Sequence, residues 1–296
     1  MNTVSSPNPA AAFYASPAAR ALGAAVRAAH RVSADVGTAL AMRLFFTPRA
    51  RDRHARVAAV PAPWSPHRHR FERGELVSWQ RTDTAGAARV LLTHGWAGDA
   101  QQMRMLGDAV AAAGLDPVLL DLPAHGASDG RRATLPQWVR ALFTASATLG
   151  PWSGVVAHSL GALAAAHAAA RGLPVQRLVL PRRRHRRHSS CNRWYASGLG
   201  LNDALAERME DAIRHREGIG VEQFAPDWLG PRVSCPTLVL HDADDRTAPL
   251  PGGRALAKAI RLSHLQVTQG LGHRRILEDP TVADAVVRQL QGPFQA

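Results

Sequence analysis

Short runs of valine and leucine alternate with helix-length stretches along most of this chain, and that alternation restricts its architecture more than any other feature. Residues 89–93, 117–120, 154–157 and 176–180 read as strands; 101–113, ended by Gly114, then 135–149 and 160–171 read as the helices between them. A continuous apolar run has no polar face to offer water, so such strands belong in a parallel sheet covered by helices on both sides. The cycle breaks between Pro181 and Pro231 with a long polar and helical insertion, and resumes as a strand at 237–240, a helix near 253–261, a strand at 265–268 and a helix at 282–290. The expected class is α/β, a mostly parallel doubly wound sheet with a helical cap insertion.

At 296 residues the chain has room for one large core plus that insertion. Pro61, Pro63 and Pro66 around Trp64 read as a linker, so residues 1–70 form an N-terminal helical extension and linker. The core then comprises 71–180 and 232–296, with 181–231 as the cap.

The net charge of +13 suggests a polyanion partner, but Lys258 is the only lysine, and an arginine excess of this kind suits a GC-rich coding sequence. No helix-turn-helix, zinc-finger or aromatic–basic pattern accompanies the charge, so no specific nucleic acid is expected. Cys191 and Cys235 have no metal-ligand spacing and make no disulfide framework, which fits a reducing compartment. Between Ala10 and Phe46 the residues Arg20, Arg27, Arg31 and Arg43 interrupt every apolar run, short of the roughly 20 residues of a membrane span. No secretory leader can be placed there either, and a cytoplasmic protein is expected. Arg20, Arg27 and Arg31 fall near one helical face; peripheral contact with an anionic membrane is one reading, and a solvated face of a helix packed on the domain is the favoured one.

Four loops carry the chemistry. Val155-Val156-Ala157-His158-Ser159-Leu160-Gly161 runs from a strand through a serine into an alanine-rich helix. Leu91-Leu92-Thr93-His94-Gly95-Trp96-Ala97-Gly98 ends another strand, His241-Asp242-Ala243-Asp244-Asp245 a third, and Gly270-Leu271-Gly272-His273 follows a fourth. A serine at such a boundary is most often a helix N-cap. Three acids in one turn suggest a calcium loop, but the odd-position oxygen spacing and the closing glutamate are missing. The order serine, acid, histidine, each after its own strand, is what sets the group apart.

These motifs resemble the α/β-hydrolase superfamily over roughly 89–290. The serine segment resembles its nucleophile elbow, where small residues two positions either side let strand and helix pack; Gly161 meets that need and Ala157 stands in place of a glycine. The resemblance implies Ser159 as nucleophile, His273 as general base and Asp245, four residues before Pro249, as the acid orienting it. It implies backbone N–H donors of Trp96 and Leu160 as the oxyanion hole, a structural His94, and a His158 that points away from Ser159 and either packs or supports the catalytic residues from behind rather than acting as a base. Leu120-Asp121-Leu122-Pro123-Ala124-His125-Gly126-Ala127-Ser128 is similar to the loop after the strand preceding the elbow, and is expected to shape the sheet edge. The implied activity is esterase-like hydrolysis of a carboxylic ester or related acyl bond on a small-molecule substrate through an acyl-enzyme. No cofactor or metal is implied. Acyl transfer by the same triad, and a non-catalytic scaffold binding membranes or polyanions, are the alternatives; the oligomeric state is open.

One stretch departs from all this. Pro181 to Arg193 holds six arginines and two histidines without an acid. It is a polyanion patch, a histidine metal site, or a local frameshift in which alanine codons read one base late become arginine codons. The last accounts for an ordinary strand running abruptly into arginine, and it predicts poor local order.

Overall fold

The computed structural model describes residues 16–48, 61–181, 196, 198–245 and 250–293. The arginine-rich stretch beyond Pro181, and Arg246 to Pro249 after the acid turn, lie outside the described residues. The chain divides into two compact units, one of residues 1–47 and 185–222, the other of 48–184 and 223–296.

The larger unit holds strands β1 (Trp64–Phe71), β2 (Gly74–Arg81), β3 (Arg89–Thr93), β4 (Asp116–Asp121), β5 (Gly154–Ala157), β6 (Leu178–Pro181), β7 (Thr237–Asp242) and β8 (Ser263–Thr268). They form one sheet in the order β1-β2-β4-β3-β5-β6-β7-β8. Only the β1–β2 and β2–β4 pairings are antiparallel; β4 through β8 are parallel. Every residue of β4, β5, β6 and β7 is buried, as expected of strands covered on both faces.

The sheet starts at Trp64, earlier than the expected core boundary at residue 71. Prolines made this segment read as a linker, yet β1 is an edge strand, where a residue without an N–H is tolerated. Its ends, Trp64 and Phe71, are buried while most of the residues between are exposed. The Trp64 indole N–H donates to Asp108 at 3.1 Å, fastening the edge to the helix that covers it.

The smaller unit includes helices α1 (Pro17–Val32), α2 (Ala34–Phe45) and α6 (Asp203–Glu217); the larger includes α3 (Arg104–Ala112), α4 (Leu135–Leu149), α5 (Leu160–Ala170), α7 (Pro226–Leu229), α8 (Pro251–Ala259), α9 (Gly272–Arg275) and α10 (Pro280–Gln291). Leu92, Val156, Val179 and Leu238, one from each of four adjacent strands, share a core with Leu106 and Val110 of α3 and Val282 and Val286 of α10.

In the smaller unit, Ala19 and Val26 of α1 and Ala41 and Met42 of α2 share a second core with Leu205, Met209 and Ile213 of α6. The N-terminal helices thus fold with the insertion rather than forming a separate extension. Ser16 caps α1 and Ser33 caps α2 through their side-chain oxygens. Arg27, one of the three arginines expected on a shared face, donates to the carbonyls of Leu199 and Gly200 at 3.1 and 3.2 Å. Among the described residues, no helix is long and apolar enough to cross a membrane.

Candidate active site

The chemistry-bearing loops leave the carboxyl ends of the parallel strands, where open α/β sheets gather their sites. Ser159 follows β5 after one intervening residue, His158, and occupies the N-cap of α5 with φ 56° and ψ −116°, a conformation few non-glycine residues adopt. The strain is held from both sides: the His158 N–H donates to Thr93 O at 2.9 Å and the Ser159 N–H to Pro181 O at 2.7 Å, ends of the two flanking strands. A β-carbon on Gly161 would collide with the carbonyl oxygen of His94, so the helix can start this close to β3 only with glycine there. Ala157 is fully buried and fits. The serine side chain does not cap its helix.

It is engaged elsewhere. His273 Nε2 lies 3.0 Å from Ser159 Oγ, and His273 Nδ1 lies 2.7 Å from Asp245 Oδ2. A carboxylate can only accept, so Nδ1 carries the proton and Nε2 is left to accept from the serine hydroxyl. The Asp245 side chain is 3% exposed and that of His273 18%, so the acid is shielded while the imidazole keeps one side open. Three residues 86 and 28 positions apart in sequence therefore meet in one hydrogen-bonded line.

The three aspartates of the acid turn divide the work. The Asp242 carboxylate accepts from the backbone N–H groups of Asp244, Leu271 and Gly272 and from the Thr268 hydroxyl, at 2.8 to 3.1 Å. Burial opposes its charge, but the donors of Gly272, Thr268, Leu271 and Asp244 together hold its pKa below the usual carboxylate value. Asp244 accepts from the Gly270 N–H at 2.9 Å. Asp242 and Asp244 thus fasten the loop that carries His273, which leaves Asp245 to face the ring.

Neither ring nitrogen of His158 hydrogen-bonds the nucleophile's hydroxyl. Its Nε2 meets the backbone carbonyl of His273 at 2.9 Å, so Nε2 carries its proton. Burial, then the neighbouring His273, drive its pKa well below 6.5 and keep the ring neutral. Sequence leaves packing and support of the catalytic residues both open for His158, and the structure places it in contact with the backbone of His273.

His94 accepts from the Leu122 N–H at Nε2, 3.0 Å, and its Nδ1 donates to Gly95 O at 2.7 Å. Gly95 passes against the nucleophile; a β-carbon there would lie 2.8 Å from that of Ser159. Asp121 ties the adjoining loops, accepting from the Trp79 indole and the N–H groups of Ala100 and Ala127 at 3.0, 2.7 and 3.0 Å. Full burial pushes its carboxyl up to about 6 against those donors.

A family model described as the alpha/beta hydrolase fold matches residues 88–183. No curated protein sequence matches the chain significantly. Among solved structures, an esterase of Pyrococcus furiosus is similar at 18% identity and TM-score 0.59, covering 78% of this chain and 93% of that one. A serine hydrolase of a polyaromatic-hydrocarbon-degrading Cycloclasticus is similar at 15% identity and TM-score 0.60, covering 79% and 100%. A bacterial membrane phospholipase A is similar at 17% identity and TM-score 0.60, covering 81% and 89%. Strand order, the strained turn after β5 and these likenesses agree: the chain is a protein of the α/β-hydrolase fold.

Proposed function

We propose that this protein is a serine hydrolase that cleaves a carboxylic ester or related acyl bond of a small molecule through an acyl-enzyme intermediate. The observation that carries the reading is the continuous line Asp245–His273–Ser159, with contacts of 2.7 and 3.0 Å. Ser159 Oγ attacks the acyl carbon while its proton passes to His273 Nε2; Asp245 stabilises the imidazolium and fixes its tautomer. The backbone N–H groups of Trp96 and Leu160 receive the oxyanion, each donor of this kind being worth roughly 3 to 4 kcal/mol in the transition state. The protonated His273 then delivers its proton to the leaving group, and water, deprotonated in turn by His273, releases the acyl group and restores Ser159.

The test is a series of p-nitrophenyl esters of increasing acyl length, assayed with and without added alcohols. Release of p-nitrophenolate that follows acyl length supports hydrolysis and reports pocket depth. Formation of a new ester in preference to free acid would reassign the same triad to acyl transfer. No turnover of any ester by the folded protein would remove the proposal.

A further inference from the structure

The donor assigned to Trp96 belongs to a peptide plane whose other end is the Gly95 carbonyl, and a trans peptide is rigid, so whatever fixes Gly95 O also aims the Trp96 N–H. Gly95 O accepts from His94 Nδ1 at 2.7 Å and from the Gly98 N–H at 3.1 Å. The next peptide is fixed from a different loop. The Ala97 N–H donates to His125 Nε2 at 3.1 Å, and His125 Nδ1 lies 2.9 Å from Pro123 O. Because an N–H can only donate and a carbonyl only accept, His125 is neutral with its proton on Nδ1 in this arrangement. Ala97 is held at φ 56°, a conformation costly for alanine unless its surroundings impose it.

The two histidines are therefore crossed. His94, in the loop after β3, accepts from Leu122 in the loop after β4, and His125, in the loop after β4, accepts from Ala97 in the loop after β3. Their rings lie 5.3 Å apart, and each packs edge-on against Trp138, at 6.0 Å for His94 and 5.2 Å for His125. The Trp96 ring meets His125 edge-on at 5.1 Å, so both the backbone and the side chain of this stretch rest on His125. His125 and Trp138 are 2% and 0% exposed, which places the support inside the protein.

From this geometry we infer that His125 is a positioning residue of the oxyanion hole, acting through the Ala97 N–H to hold the peptide that supplies the Trp96 donor. The inference rests on the serine-hydrolase reading above. A misaimed donor fails the transition state more than the bound ester, so its removal lowers kcat and spares KM.

The experiment compares wild type, His125→Phe and His125→Gln. Phenylalanine keeps the ring against Trp96 and Trp138 but cannot accept; glutamine can accept through Oε1. His125→Phe is expected to lower kcat for a p-nitrophenyl ester by about 10- to 100-fold with KM nearly unchanged. It should weaken an alkylboronic acid, whose tetrahedral adduct with serine places an anionic oxygen in the hole, by a similar factor; His125→Gln should recover most of both. Amide exchange in wild type, read by NMR, gives an independent check, because Ala97 is exposed yet its N–H should be protected through His125. An unprotected Ala97 N–H in wild type, or a folded His125→Phe with wild-type kcat and boronate affinity, would overturn the inference. Wild type inactive toward every ester would instead remove the catalytic reading, with Ala97 exchange still deciding whether the crossed histidines hold the loop.

Discussion

The imidazole of His158 donates to the backbone carbonyl of His273 at 2.9 Å, and the two rings lie 4.8 Å apart, so the residue beside the proposed nucleophile steadies the proposed base. The other nitrogen of His158 is buried without a hydrogen-bond partner. Replacement by phenylalanine loses the tether but also removes an unsatisfied buried polar atom, whose cost is about 1 to 3 kcal/mol. His158→Phe is expected to lower kcat about tenfold while leaving the urea midpoint little changed, since only the aim of His273 is loosened. A large stability loss with normal kcat per folded molecule would make His158 purely structural.

The acid turn should separate catalysis from stability. Asp245→Asn removes the group that fixes the imidazole tautomer and is expected to lower kcat by about 10³- to 10⁴-fold with the fold retained. Asp242→Asn loosens four bonds, two of them to backbone amides of the histidine loop. It should cost about 1 to 3 kcal/mol in urea unfolding, with a smaller effect on kcat. Asp244→Asn, with one loop contact, should do least to both. Greater loss of turnover in Asp244→Asn than in Asp245→Asn would move the acid.

Close approach of the elbow to the neighbouring strand sets the third expectation. In Gly161→Ala the new methyl meets the His94 carbonyl oxygen, and backbone cannot yield as a flexible side chain can. About 1 to 3 kcal/mol of destabilisation and a marked loss of turnover are expected, measured by urea unfolding and initial rates. Wild-type values for both would mean that the strand and helix are farther apart than described.

Acid lability is expected from a buried ring far from the reaction. His167 is fully buried, stacked against Phe224 at 4.5 Å and Trp228 at 5.0 Å, and burial lowers its pKa to about 4. Unfolded, it would titrate near 6.5, so between these values the unfolded chain binds the extra proton. Its contribution is complete above about pH 6.5 and declines as pH falls toward about 4. His158 acts in the same direction, whereas Asp121, raised to about 6, favours the fold most at low pH. Comparison with His167→Phe isolates the first term: the urea midpoint of wild type should fall relative to the variant from pH 7 to pH 5. Parallel pH dependence in the two proteins would contradict the assignment.

The sheet was legible because its central strands are buried on both faces and therefore read as plain apolar runs. β1 was not, because an exposed edge strand carries prolines and charges as a linker does. Ser159, Asp245 and His273 could be picked out by chain order and motif, and the structure brings them together. The register that singled out Asp245 from its neighbours has a physical counterpart in Asp242 and Asp244 turning to backbone amides. His125, His158 and Asp242 support the site through backbone atoms of other loops, and a bond to a main-chain carbonyl or amide leaves no residue-type pattern in the partner sequence.

The most direct measurement of the central claim is reaction with a fluorophosphonate, followed by mass spectrometry of the labelled peptide. An activated serine attacks phosphorus and expels fluoride, and a solvated or N-capping serine does not. The account predicts a single adduct on Ser159, absent in Ser159→Ala and slowed by about 10³-fold or more in a folded His273→Gln. An unlabelled wild-type protein, or a label on another residue that persists in Ser159→Ala, would contradict it.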